Sequence, residues 1–267
     1  MLIIGESING TIEKVGQAIL DRNEEFIVAL ASTQVECGAE VLDINAGVAG
    51  GNEEKDLSWT LEVVQRAVSV PLMIDSPDPK AVEAALSVYV RDERPIINSI
   101  SGEEDKIDAL LPLITTHRAK VVALCMDSRG IPTTTGERVE NGKSLFRTLT
   151  AAGVNPSDIY FDVLLLSVAV QDDAVLIGLE TTRFLKALFP ECHFIGAVSN
   201  VSMSLPGRRL LNRTFLSMAI CSGFDTLLVD VRDRSLMSAV YAGKLLLNQD
   251  AYCLSYIQHY REKRLII

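Results

Sequence analysis

Carboxylates and carboxamides follow the short apolar runs of this chain with a regularity that suggests binding chemistry. In order they are Glu6 and Asn9, Asp43 and Asn45, Asp75, Asn98 and Ser99, Asp127 behind Met126, Asp162, Ser199 and Asn200, and Asp230 and Asp233. A carboxylate only accepts hydrogen bonds, whereas an Asn amide both donates and accepts. Such a set suits a flat heterocycle carrying several N–H donors and a carbonyl. The three histidines, His117, His193 and His259, form neither an HxxxH nor an HExxH pattern, which argues against a His-based zinc site. Asp43, Asp75 and Asp162 are hard oxygen ligands, so a divalent-metal cluster is an alternative. Two of the acids could also act as a glycosidase pair, but sugar clefts are usually aromatic, and aromatics are only 6% here with one Trp. Any single Asp or Asn at a strand end can instead cap the next helix. Asp78, Ser101 and Ser157 read as such caps, and Asp230 and Asp233 read equally well as structural.

The elements that must carry these residues alternate. Eight apolar runs rich in Val, Ile and Leu are expected as strands: 2–4, 41–44, 71–74, 95–97, 121–124, 159–161, 194–197 and 226–229. Runs without polar alternation fit strands buried on both faces, as in a parallel sheet. Between them, 24–37, 59–68, 105–117, 173–188 and 213–222 have helical periodicity. Alternation of this kind predicts an α/β fold, and eight strands predict a single closed (β/α)8 TIM barrel with the polar strand ends at one mouth. An open dinucleotide-binding sheet would carry GxGxxG after an early strand, and Gly5-Glu6-Ser7-Ile8-Asn9-Gly10 does not match it. The polar segment 127–143, with Gly130, Pro132 and Gly136, reads as a long loop at the mouth, and 256–267 as a last helix or a frayed end.

The bulk composition narrows the partners. The 267 residues suit one barrel domain over 1–267, and the net charge of −10 argues against nucleic acid. Five cysteines, Cys37, Cys125, Cys192, Cys221 and Cys253, form no CxxC pair, which fits a reducing cytoplasm. The start MLIIGESING has neither a basic region nor a long apolar core, so no signal peptide is expected, and no run is long enough to suggest a membrane span.

Several segments in order resemble one family. GESING, GAEVLDINAG, MIDSPDP, IINSIS, IYFDVL, and GAVSNVS followed by RRLLNRTFLSMA are similar to the pterin-binding methyltransferases. They resemble most the free-standing methyltetrahydrofolate:corrinoid protein methyltransferases, whose C-terminal pattern LLNQDAYCLSYI also resembles. The resemblance implies a methyl group moved between a corrinoid (cobalamin) on a partner protein and tetrahydrofolate, with methyltetrahydrofolate as product or donor. It implies that Asp75, Asn98 and Asp162 bind the pterin edge and that Asn200 hydrogen-bonds near N5. Asp43, Asn45, Gly196 and Ser199 match further pocket positions, and Glu6, from its own strand end, would join them. The negative tail of the folate would meet Arg208 and Arg209, with Arg213 nearby. It further implies a homodimer and a corrinoid protein as partner; with neither His nor Cys among the best-placed strand ends, no protein-bound metal is expected. Family members often carry Arg where this chain has Ser7, which bears on the charge at the mouth. A dihydropteroate-synthase-like enzyme is an alternative, although its Lys-x-x-Arg-like and Asn-Val-Thr-Pro elements are not visible. A folate-binding or corrinoid-docking protein without turnover is another.

Overall fold

Eight parallel strands close on themselves in chain order: β1 Leu2–Asn9, β2 Val41–Asn45, β3 Leu72–Asp75, β4 Ile96–Ile100, β5 Lys120–Leu124, β6 Ile159–Asp162, β7 His193–Ala197 and β8 Thr226–Val229, with β8 pairing back onto β1. The computed structural model describes residues 1–266. The helices are α1 Glu13–Leu20, α2 Glu24–Glu36, α3 Glu53–Ala67, α4 Pro79–Ser87, α5 Glu104–Thr116, α6 Thr135–Ala151, α7 Ala174–Leu188, α8 Arg208–Ser222, α9 Arg234–Leu246 and α10 Leu254–Arg261. This is a single (β/α)8 TIM barrel, as the alternating apolar runs predict.

Two apolar layers share the strands by parity, because successive side chains of a strand point to opposite faces. Ile4, Val41, Met73, Ile96, Val122, Tyr160 and Ile195 pack inside the barrel, joined by Leu2, Leu124 and Leu228. The opposite face of each strand, including Ile3, Leu42, Ile44, Ile74, Ile97, Phe161, Phe194 and Leu227, joins the larger core under the helices. Stepping two residues up from the inner apolar layer leads to Glu6, Asp43, Asp75, Asn98, Asp162 and Asp230, and a further step along β2 to Asn45, whereas on β5 and β7 it meets Leu124 and Ala197. The inner layer thus plugs the barrel below, and the polar ring lies above it at the C-terminal mouth, where barrel enzymes keep their sites.

Several local expectations need correction. The segment 127–143 is a loop only as far as Thr134, which caps α6 by accepting from the Glu137 N–H at 3.3 Å. The threonines that read as loop are partly this start signal, and Gly136 is tolerated within the first turn. Helices α1 and α9 stand where no helix is expected, α4 is signalled only by its cap, and α3 begins at Glu53 rather than at residue 59. Asp78 does cap α4. Ser157 is not a cap: Asn155 fills that role and accepts from the Ser157 N–H at 3.0 Å. Ser101 donates to the Glu103 carboxylate at 2.6 Å, and α5 starts without a side-chain cap bond. The C-terminal segment forms α10, and Ile267 lies outside the described residues.

Candidate functional site

Strand register sets the site. Asn45 pairs with Asp75 and Asp75 with Asn98, so three polar side chains from β2, β3 and β4 stand level on adjacent strands. Asn45 Nδ2 donates to Asp75 Oδ2 at 2.9 Å, while Asn45 Oδ1 accepts from the Gly47 N–H at 3.1 Å. The amide is therefore oriented, with its donor end on the carboxylate. Asp43, two residues below Asn45 on the same face of β2, is only 2% exposed. Asn98 Nδ2 lies 3.5 Å from Asp43 Oδ1. On the other side of the mouth, Ser199 Oγ donates to Glu6 Oε2 at 3.3 Å, and Arg208 Nη2 donates to the Ser199 carbonyl at 2.9 Å.

The acids of the ring repel one another's charge. Burial, reinforced by Asp230 nearby, pushes the Glu6 carboxyl up to about 7 despite the opposing effects of Ser199 and Arg208. Burial and the neighbouring Asp75 hold Asp43 well above the usual carboxylate range, with Glu6 adding to the effect and the Asn98 hydrogen bond opposing it. Asp75 is raised by burial and to a lesser degree by Glu53, against the Asn45 hydrogen bond. Asp162 is pushed to about 6 by burial, opposed by the Leu164 N–H and the charge of Arg138. Several buried acceptors with few cations form an environment that N–H donors of a ligand would relieve.

A cavity of about 490 Å³ opens beside this ring, lined by Glu6, Ser199, Arg208, Arg209, Asn212, Asp230 and Arg232 among others. Arg208 is braced by its bonds to Ser199 and Ser202, whereas Arg209 is largely exposed and 3.8 Å from Asp233. The expected ring members Glu6, Asp43, Asn45, Asp75 and Asn98 come together, and Asp162 rises on β6 in the same inward register. Asn200 is half-buried on the 3-10 turn Val198–Ser202, one residue past the cavity wall at Ser199.

Two expectations about the site change, and others take a definite form. Gly196 faces outward, because a Cβ there would meet Phe224 Cε1 at 2.7 Å and Leu165 Cδ1 at 2.9 Å. Its glycine serves helix–strand packing, not the pocket. Arg213 donates to Ser235 Oγ on α9 at 2.9 Å and lines an outer groove, away from the mouth cavity. Asp233 is the α9 cap, accepting from Ser235 and Leu236 N–H. Both Asp230 and Asp233 line the cavity, and Asp230 pairs with Arg232 at 2.8 Å. Ser7 is buried: its N–H donates to Gln34 Oε1 at 2.9 Å, and its hydroxyl lies 3.5 Å from Asp230 Oδ1. A positive charge reaches Asp230 from Arg232 rather than from position 7. Arg232, Asn212 and Glu53 were not legible as site residues. Arg232 was signalled only by following Asp230 at a spacing of two, and Glu53 by nothing beyond its place at a helix start.

Among the described residues, no group of three or more His, Cys, Asp or Glu side chains is arranged to hold a metal ion. No helix among them is long and apolar enough to cross a membrane.

Residues 5–230 match the family described as pterin binding enzyme. The chain is 34% identical over 268 residues to the methylcorrinoid:tetrahydrofolate methyltransferase of Eubacterium limosum, covering 99% of this chain and 98% of that protein. Among solved structures, it resembles dihydropteroate synthase from Xanthomonas albilineans in complex with 7,8-dihydropteroate, with TM-score 0.65 and 18% identity over 94% of this chain and 93% of that one. Dihydropteroate synthase from Stenotrophomonas maltophilia gives TM-score 0.69 at 19% identity, covering 94% and 93% of the two chains. At that identity, the structural likeness speaks for the fold alone.

Proposed function

The chain belongs to the pterin binding enzyme family, and from that membership we propose that it is a methyltransferase moving a methyl group between a methylated corrinoid protein and tetrahydrofolate. The observation that carries this reading is the ring of buried acceptors at one mouth, in a chain similar along 99% of its length to a methylcorrinoid:tetrahydrofolate methyltransferase. A pterin presents ring N–H and amino donors along one edge, and a ring of carboxylates short of cations is complementary to it. In this reading Asp75 and Asp162 accept from that edge, and Asn98, Asn45, Asp43, Ser199 and Glu6 complete the pocket. Arg208 and Arg209, on the cavity wall, meet the carboxylates of the folate tail.

The corrinoid, a substrate carried on another protein, supplies or accepts the methyl group. The residues of this chain handle the nitrogen. When a methyl leaves N5, the nitrogen gains an electron pair and needs a proton or a strong hydrogen bond. When a methyl arrives, the N5 proton must depart. Asn200 gives a neutral N–H donor that can follow either change without adding a charge. The ring acceptors hold the pterin flat so that attack is in line.

The reading includes a homodimer that leaves the mouth free. An apolar groove of about 630 Å³ between α8 and α9, with Met218, Cys221, Leu246 and Leu247, lies on the outer wall. We place the enzyme in the cytoplasm, with the folate and corrinoid protein as its partners. The test is to mix the protein with methyltetrahydrofolate and cob(I)alamin and follow the cobalt spectrum. Conversion to methylcobalamin at a rate above the protein-free control is expected. Folate binding without conversion, also in reverse from methylcobalamin, would leave a docking protein.

A further inference from the structure

Arg138 is the largest of the fully buried side chains, at 0% exposure within α6. Among the described residues it makes no salt bridge. Its Nε donates to the Pro132 carbonyl at 3.0 Å, and its Nη1 donates to the carbonyls of Val163 at 2.7 Å and Leu164 at 2.9 Å. Its Nη2 is buried without a protein partner. A buried guanidinium that meets no carboxylate and leaves one nitrogen unpartnered costs stability, so stability alone does not explain it.

The two carbonyls on Nη1 belong to the residues that directly follow Asp162. Leu164 is in the left-handed region, with φ 62°, which a leucine rarely adopts unless its surroundings hold it there. In that conformation the Leu164 N–H turns back and donates to Asp162 Oδ1 at 2.7 Å. One side chain thus holds the turn, and the turn holds the carboxylate. Arg138 also ties the β5–α6 loop, through Pro132, to the β6–α7 loop, so two rims of the mouth are pinned at one point.

We infer that Arg138 is a positioning residue for Asp162: it fixes the turn at Val163 and Leu164 that orients the carboxylate, and its charge keeps that carboxylate ready to accept from a ligand N–H. This rests on the proposed role of Asp162 at the pterin edge. The titratable and charged groups around Asp162 are Cys125 from the end of β5 and Arg138 from α6, and Asp173, just before α7, faces Arg138. Burial and Asp162 raise the Cys125 thiol, so it stays neutral across the accessible pH range. Arg138 is then the cation that bears on the titration of Asp162.

The experiment measures tetrahydrofolate affinity from pH 5 to 9 for the wild type, Arg138→Met and Asp162→Asn, and for the double variant. Wild-type affinity should fall as the pH drops through the Asp162 titration. In Arg138→Met the midpoint of that fall should move up by roughly a pH unit, a tenfold change in proton affinity. Affinity at pH 9 should stay within several-fold of wild type. In the Asp162→Asn background the same substitution should move no midpoint. Arg138→Gln, neutral but still able to donate to a carbonyl, carries the same expected shift if Arg138→Met does not fold. Arg138→Lys should return the midpoint towards wild type. An unmoved midpoint, whatever the affinity at pH 9, overturns the positioning role and leaves Arg138 a loop tether. Wild-type pH dependence unchanged in Asp162→Asn would instead remove Asp162 from folate binding, and the inference would fall with it for that separate reason.

Discussion

Asn45 donates to Asp75 across β2 and β3 at 2.9 Å, and its other amide atom is fixed by the Gly47 N–H, so the amide cannot turn without breaking both bonds. The pair is a carboxylate with one oxygen already satisfied and the other available. Asp75→Ala should therefore weaken tetrahydrofolate binding by about 1 to 3 kcal/mol, the usual cost of leaving a buried donor unpaired. Asn45→Ala should also weaken it at neutral pH, because Asp75 loses the hydrogen bond that favours its charged form. Titration calorimetry checks both, and unchanged affinity in both would reassign the pair to barrel stability.

Asn200→Ala should damage turnover more than folding. By comparison with oxyanion-hole donors, the loss in single-turnover methyl transfer is expected to be about a hundredfold or more. Asn200→Asp replaces the NH₂ donor by an acceptor unless the acid is protonated, so its rate should recover as pH falls. Rates near wild type in both variants would leave N5 to solvent or another group.

The unliganded protein should gain stability as pH is lowered from about 8 towards 5. A carboxyl whose pKa is raised by folding binds extra protons in the folded state, so stability falls as pH climbs through the interval between the two values. For Glu6 that interval runs from 4.5 to about 7, and for Asp162 from 3.8 to about 6. The penalty is complete above the upper value and absent below the lower one. Thermal melts across pH should show this slope, and Glu6→Gln should flatten its upper part, with a gain on the order of 1 to 3 kcal/mol at pH 8. A wild-type melting temperature that rises from pH 5 to 8 would contradict the assignment.

Gly196→Ala should destabilise the fold while leaving the site alone. The added methyl would press on Phe224 and Leu165, and overpacking of this kind costs about 1 to 3 kcal/mol. Folate affinity of the folded fraction should be unchanged. A selective loss of affinity at wild-type stability would return Gly196 to the pocket.

Chelation should not abolish folate binding. If a chelator removed binding and a divalent ion restored it, Asp43, Asp75 and Asp162 would have to be read as ligands after all.

Much of the barrel was legible because strands buried on both faces leave unbroken apolar runs, which is how all eight stood out. The polar ring was legible for the same reason, since a carboxylate ending such a run contradicts its surroundings. What escaped depends on information that pattern does not carry. Only the strand parity that turns Ile195 inward tells that Gly196, its neighbour, faces the helices. Helix α4 is short and rich in Ala, so its periodicity covers only two turns. A buried Arg138 looks like any solvated Arg on a helix until the loops of neighbouring strands are seen to close over it.

The apolar plug of Ile4, Val41, Met73, Ile96, Val122, Tyr160 and Ile195 makes the barrel a blind well. Whatever enters must leave by the same opening, and in the proposed reaction that opening also receives a bulky protein. On that reading traffic would be queued, with folate entering before the partner docks and leaving after it departs. Kinetically this is an ordered sequence, in which saturating corrinoid protein should slow the escape of labelled folate from the enzyme.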